Sequence, residues 1–258
     1  MVELLTILSG SVVGFTLGLI GGGGSILAVP LLLYVVGVPD PHVAIGTSAL
    51  AVAVNAFVNL AQHARAGTVK WPCAATFAAS GVAGALVGST IGKSVEGEKL
   101  LFLFALAMVA VGVSMLRGRG DEGDPRVHID RRIALRLVVI GFLVGTLSGL
   151  FGIGGGFLVV PGIMAGSGMA VLNAIGSSLF SVGAFGLTTA ANYAVSGLVD
   201  WTVAALFIAG GVAGGFAGMK AAVRLSTRKG ALTRIFAGVM FAVAAYMLYR
   251  NAGAIGLF

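Results

Sequence analysis

Two glycine-rich breaks in apolar segments are the first places where this chain could do chemistry. Residues 21–24 are all glycine, and four of residues 152–156 are glycine. Each glycine costs a helix about 1 kcal/mol relative to alanine, so such a run ends the helix and frees backbone N–H and C=O groups. The helix that restarts points its positive N-terminal end into the break, which suits an anion. The predicted substrate-binding residues here are Gly22, Gly23, Gly24, Ser25, Gly154, Gly155 and Gly156.

A row of uncharged polar side chains on the third apolar segment is the second candidate. Ser48, Asn55, Asn59 and Gln62 are separated by seven, four and three residues, which places them on one face of a helix. Such groups can line a substrate path, or they can hold helices together by hydrogen bonds. We expect the lining. Its predicted remaining members are Thr47, Ser177, Ser178, Thr189 and Asn192.

Groups that other kinds of chemistry require are missing from the apolar segments. No Asp or Glu lies within them, which disfavours a proton relay through a buried carboxylate. His63 stands beside Arg65 at a segment end, which predicts an interfacial position. Cys73 is the one cysteine, so neither a disulfide nor a cysteine cluster is expected. With no H-E-x-x-H motif, we predict no enzyme, no metal and no cofactor.

The amino-acid composition indicates whether these segments lie in water or in a lipid bilayer. Of the 258 residues, 58% are hydrophobic and only 10% are charged, and the mean hydropathy is +1.05. A soluble domain averages about 45–50% apolar and about 25% charged residues. The chain is therefore predicted to be an all-α polytopic membrane protein whose main partner is the lipid bilayer. The net charge of +7 is better explained by topology than by nucleic-acid binding, because the Lys and Arg residues lie between the apolar segments.

The order of segments occurs twice. Pro30 and Pro161 are 131 positions apart, Trp71 and Trp201 are 130 apart, and glycines match between these anchors. This pattern predicts a duplicated unit, with a first membrane repeat over residues 1–116, a linker over 117–132 and a second repeat over 133–258.

The distribution of basic residues predicts how the two repeats are oriented. If the chain turns back at each glycine break, Lys93, Lys99 and Arg250 share one side and all other Lys and Arg residues share the opposite side. The positive-inside rule then favours inverted repeats, a cytoplasmic linker and both termini outside. Each repeat would contain a Gly-broken short helical pair or re-entrant hairpin plus three transmembrane helices.

The paired glycine elements also resemble a known family. The segments Gly14-Phe-Thr-Leu-Gly-Leu-Ile-Gly-Gly-Gly-Gly24 and Gly145-Thr-Leu-Ser-Gly-Leu-Phe-Gly-Ile-Gly-Gly-Gly156, each followed by a proline, are similar to those of the sulfite exporter TauE/SafE family. The resemblance implies a multi-pass permease of the bacterial cytoplasmic (inner) membrane that exports a small sulfur-containing anion, such as sulfite or an organosulfonate. Import, another small organic anion, a non-transporting membrane subunit and a homo-oligomer all stay open.

Overall fold

The fold is built almost entirely from helices. The computed structural model describes residues 2–117, 123–124, 127, 129–152, 156–225 and 231–251. Within these residues the helices are α1 (Val2–Ile20), α2 (Ala28–Leu31), α3 (Pro41–Arg65), α4 (Trp71–Gly92), α5 (Gly97–Arg117), α6 (Arg131–Phe151), α7 (Gly156–Ser167), α8 (Val171–Val195), α9 (Trp201–Leu225) and α10 (Ala231–Asn251). A 3-10 helix (Gly21–Leu27) precedes α2, and a π-helical turn (Leu32–Val36) follows it.

Helix length and surface both fit a lipid environment. Six helical stretches of the described chain are long and apolar enough to cross a membrane. Large apolar side chains face outward, including Leu4 (62% exposed), Leu135 (66%) and Leu143 (58%). An outer surface of this kind is stable only against lipid or another apolar surface. The prediction of an all-α polytopic membrane protein is confirmed.

The chain reverses direction at the first glycine break. Gly21 has φ +67°, and the Thr16 hydroxyl donates a 3.1 Å hydrogen bond to the Gly24 carbonyl. In a continuous helix these two residues would stand about 12 Å apart. Residues 21–36, which we call the first return segment, therefore run back along the end of α1.

The second break has the same local geometry. Gly152 also has φ +67° and ends α6. The equivalent of the first return segment is α7, which we call the second return segment. Its 12 residues rise only about 18 Å, less than the roughly 30 Å of hydrocarbon. Left-handed glycines recur elsewhere at the repeat offset, as Gly37 with Gly168 and Gly67 with Gly197. Shared turn geometry agrees with a duplicated unit.

Helices from different repeats cross at glycine faces. Gly14 lies against Gly211 and Gly18 against Gly215, so α1 and α9 run parallel with their backbones in contact. The equivalent pair, α6 and α4, crosses in the same way, with Gly145 against Gly81 and Gly149 against Ala85.

The two central helices run in opposite directions. Gly46, near the start of α3, packs against Leu198 after the end of α8, and Gly176, near the start of α8, packs against Thr68 after the end of α3. Since α3 is parallel to α9, and α8 is parallel to α4, helices α1 and α6 also oppose each other. Opposed directions of α1 and α6 are compatible with inverted repeats, which stay a prediction. The orientation of the chain in a membrane remains a prediction.

Charge separates between the two ends of the bundle. The end formed by the C-termini of α1, α3 and α9, which we call the basic end, carries Arg65, Lys70, Arg131, Arg132, Arg136, Lys220 and Arg224, together with Asp124 and Asp130. The opposite end carries Glu3, Asp40, Glu96, Glu98 and Asp200, together with Lys93 and Lys99. The directions of the helices therefore place most of the described basic residues at one end of the bundle, as the positions of Lys and Arg in the sequence predicted.

Glycine at the α1–α9 crossing should be essential for stability. A Cβ at Gly14 would overlap the Gly211 carbonyl, so we expect Gly14→Leu to cost at least about 1–3 kcal/mol of folding free energy. The matched control is Gly238→Ala, because a Cβ there has no neighbour within 4 Å. Thermal unfolding in detergent should show a lower transition for Gly14→Leu alone. Equal transitions for both variants would contradict this packing.

Candidate anion-binding site

The two glycine breaks meet backbone to backbone. The Gly22 carbonyl packs against Gly156, the first residue of α7, so closely that no Cβ fits at Gly156. The Gly22 N–H donates a 3.0 Å hydrogen bond to Ser178 Oγ, and Ser25 Oγ donates one of 2.8 Å to the Gly22 carbonyl. Both serines are fully buried. The structure thus brings together four of the predicted residues from both repeats.

The other predicted glycines occupy different surroundings. Gly23 and Gly24 are buried in the 3-10 helix. Gly24 lies against the backbone of Thr16 and Leu17, so its small size is needed to close the hairpin with α1. The remaining two predicted glycines, Gly154 and Gly155, lie outside the described residues.

Asn55 and Asn59 form a buried polar face between α1, α3 and α9. Asn59 Nδ2 donates a 2.8 Å hydrogen bond to the Asn55 carbonyl. Both polar atoms of the Asn55 side chain and Asn59 Oδ1 have no hydrogen-bond partner in the described part of the chain. A buried polar group without a partner costs roughly 1–3 kcal/mol. Part of the hydrogen-bonding capacity of these amides is therefore unused within the described chain.

The second repeat fills the same face differently. Phe185 stands at the position of Asn55 and stacks on Phe77 with ring centroids 6.2 Å apart. Thr189 stands at the position of Asn59, and its buried hydroxyl has no partner among the described residues. On this helix face, therefore, the asparagine side chains come from the first repeat. Ser48, like its counterpart Ser178, is fully buried and donates to a carbonyl one turn earlier.

Thr47 and Ser177 have structural partners. Thr47 Oγ1 accepts a 2.8 Å hydrogen bond from the Asp200 N–H, and Ser177 Oγ accepts one of 2.9 Å from the Lys70 N–H. Asp200 and Lys70 immediately precede α9 and α4. Each hydroxyl therefore joins a central helix to the start of the opposite repeat's next helix.

Asn192 and Gln62 lie away from the breaks. Asn192 Nδ2 donates to Ser89 Oγ at 2.7 Å, and its Oδ1 accepts from Lys93 Nζ at 2.9 Å. This network belongs to the end of the bundle opposite the basic end. Gln62 is half-buried near the basic end, and its Nε2 has no partner among the described residues.

His63 is a buried polar residue that the predicted site did not include. Its side chain is fully enclosed by the protein, and the interfacial depth expected from its place at the end of α3 stays a prediction. Nδ1 lies 3.0 Å from Thr68 Oγ1, and Nε2 lies 3.2 Å from the Gly18 carbonyl. The spacing of four from Asn59 places both side chains on neighbouring parts of one helix face, and that signal was present in the sequence.

An apolar groove of about 280 Å³ lies between the first return segment and α10. Its lining includes Leu27, Pro30, Tyr34, Val243 and Tyr246, and its polar surface is small. Without charged or amide groups this groove suits a hydrocarbon chain better than an anion.

Comparisons with known proteins agree with this architecture. The model of the sulfite exporter TauE/SafE family matches residues 6–247. A probable membrane transporter protein of Xylella fastidiosa (strain Temecula1) is 52% identical over 249 residues, covering 96% of this chain and 95% of that protein. A probable membrane transporter protein of Bacillus subtilis is 26% identical over 271 residues, covering 96% and 98%. One of Haemophilus influenzae is 30% identical over 201 residues, covering 75% and 74%. No solved structure matches significantly.

The partners of Thr47 predict a purely structural effect of its replacement. Thr47→Val leaves the Asp200 N–H without its acceptor, so we expect a loss of about 1 kcal/mol in stability. The control is Thr76→Val, because the Thr76 hydroxyl bonds only to the Pro72 carbonyl of its own helix. Unfolding measurements should separate the two variants, and the KM for any transported anion should match the wild type in both. A KM raised only in Thr47→Val would place Thr47 in the substrate site.

Proposed function

Because the chain belongs to the sulfite exporter TauE/SafE family, we propose that it is a secondary transporter or facilitator that exports a small sulfur-containing anion across the cytoplasmic membrane. The proposed substrate is sulfite or an organosulfonate. The observation that carries the proposal is the contact between Gly22 and Gly156, where two helix breaks from opposite repeats meet inside an apolar bundle.

The chemistry around this contact supports an anion. The N-terminus of α7 presents backbone N–H donors and the positive end of a 12-residue helix. The neutral amide of Asn55, buried on α3, has an Nδ2 group without a hydrogen-bond partner in the described chain and can serve as a donor. Donors without a fixed charge hold an anion weakly enough to release it, as a transport cycle requires. Paired broken helices near the bilayer midplane are a recurring form of transporter site.

The packing also supports a way of moving the substrate. In the described conformation the Gly22–Gly156 contact leaves no room for a substrate between the two glycines. The two halves meet at this point through the backbone of two glycines, and we propose that this contact opens when the halves rotate relative to each other. We propose that rocking of the repeats exposes the anion first to one side and then to the other. The basic end would face the cytoplasm, with both termini outside.

The experiment that tests the proposal is flux of labelled sulfite in proteoliposomes. Sulfate, sulfoacetate and acetate serve as competitors, and liposomes without protein serve as the blank. Saturable sulfite flux that sulfoacetate inhibits and acetate does not would support the sulfur-anion carrier. Inhibition by acetate alone would indicate a carboxylate carrier. Absence of flux for every anion, from monodisperse protein, would favour a non-transporting subunit.

The unpaired amide of Asn55 gives a sharper prediction. Asn55→Leu keeps the side-chain volume and removes a buried group that lacks protein partners, so stability should stay equal or rise. If the amide binds the anion, KM should rise at least about tenfold, which corresponds to about 1.4 kcal/mol.

The matched control is Asn192→Leu. This variant breaks the hydrogen bonds to Ser89 and Lys93, so its unfolding temperature should fall while KM stays unchanged. Unfolding and labelled-sulfite uptake are measured on both proteins. Wild-type KM in Asn55→Leu would mean that the amide packs the helices and binds no substrate.

A further inference from the structure

His63 occupies a position where a proton could be stored. It is fully buried in α3, between the last turn of α1 and the loop that leads to α4. The Gly18 carbonyl stands 3.2 Å from Nε2, three residues before the turn at Gly21. A carbonyl only accepts hydrogen bonds, so Nε2 must carry a proton whatever the charge of the ring.

The other ring nitrogen faces a group that can accept or donate. Thr68 Oγ1 lies 3.0 Å from Nδ1 and also 3.0 Å from the His63 carbonyl. In the neutral ring, the Thr68 hydroxyl donates to Nδ1. In the cationic ring, Nδ1–H donates to Thr68 Oγ1, and the hydroxyl proton turns to the His63 carbonyl. Both charge states thus keep every ring hydrogen bond, and only one hydroxyl proton rotates.

The fold itself does not require this pair. At the equivalent positions of the second repeat stand Tyr193 and Leu198. Tyr193 is fully buried, and its hydroxyl has no partner in the described part of the chain. The aromatic ring of Tyr193 therefore fills the equivalent space in the second repeat. Of these two positions, only His63 has a ring that can hydrogen-bond to its neighbours in both a neutral and a cationic state.

We propose that His63 is the proton-coupling residue of this transporter and carries one proton with each anion. The proposal rests on the proposed transport function. When the Thr68 hydroxyl turns to the His63 carbonyl, it frees the Nδ1 lone pair to take a proton from water at the basic end, and the same nitrogen returns that proton to water on the other side when the repeats have rocked. One proton and one monovalent anion then cross together, and no net charge moves.

The neighbours of His63 make the anion its natural counter-charge. Toward this end the elements around it carry the cations Arg65, Lys70, Lys220 and Arg224, and the described acids at the same end are Asp124, beside the start of α8, and Asp130, at the start of α6. The acids of these elements, Glu3, Asp40 and Asp200, lie at the opposite end. A second cation here is therefore unfavourable until an anion arrives. Asn59, one helical turn away, lies against Gly18 as His63 does, so the proposed anion site is adjacent.

The test separates coupling from transport by using a sulfonate that stays ionised at all working pH values. Labelled isethionate is followed in proteoliposomes, first as counterflow at equal pH and then as accumulation driven by an imposed pH gradient. For the wild type we expect both, with one proton entering the lumen per anion. His63→Gln can still bond to Gly18 and Thr68 but cannot hold a proton. We expect it to keep counterflow and to lose accumulation, with the inside-to-outside ratio falling to about one.

Three further variants serve as controls. Tyr193→Phe removes only an unpartnered hydroxyl and should accumulate isethionate like the wild type. Thr68→Ser keeps the hydroxyl and should stay coupled. Thr68→Val leaves the cationic Nδ1–H without an acceptor, so half-maximal uptake should move to lower pH. This shift tests the proposal even if His63→Gln fails to fold.

The outcomes distinguish this inference from the function on which it rests. Gradient-driven accumulation that persists in His63→Gln, or wild-type counterflow that no pH gradient can drive, would overturn proton coupling and leave anion transport standing. Absence of counterflow for isethionate, sulfite and acetate alike, from folded wild-type protein, would instead overturn the transport function itself.

Discussion

Close approach of helix backbones is the constraint on which the rest of this structure depends. In lipid, helices gain no hydrophobic energy from each other, so they associate through tight packing and hydrogen bonds. At the α1–α9 and α4–α6 crossings, glycines let backbone lie directly on backbone. Each crossing joins a helix of one repeat to a helix of the other, so the repeats interlock. The return segments can then meet at Gly22 and Gly156 in the middle of the bundle.

A scaffold of two similar halves carries unequal chemistry. Asn55 and His63 in the first repeat correspond to Phe185 and Tyr193 in the second, and all four side chains are buried. The aromatic residues satisfy packing, whereas the amide and the imidazole offer groups that a substrate or a proton can use. Inequality of this kind lets one half bind while the other half serves as a rigid counterpart. It also explains why two related halves need not contribute equally to the site.

Several features were predictable because they follow from local chemistry or from charge. Glycine runs predicted the reversals at Gly21 and Gly152, since positive φ is available there at little steric cost. A turn of the chain at each glycine break predicted that most basic residues would share one side of the membrane. By contrast, no pattern in the sequence indicated that Thr47 and Ser177 accept hydrogen bonds from backbone N–H groups more than 100 positions away. No spacing within one segment can reveal such a partner.

The sequence by itself determined the membrane class, the position of each break and the family resemblance, and it predicted the duplication. Each of these properties can be recognised from the types of the residues and their order along the chain. Only the tertiary structure decided which breaks touch, which amides stay unpaired and that His63 is buried. Those properties depend on how α1, α3 and α9 cross, because burial and hydrogen-bond partners are set by neighbours that are remote along the chain.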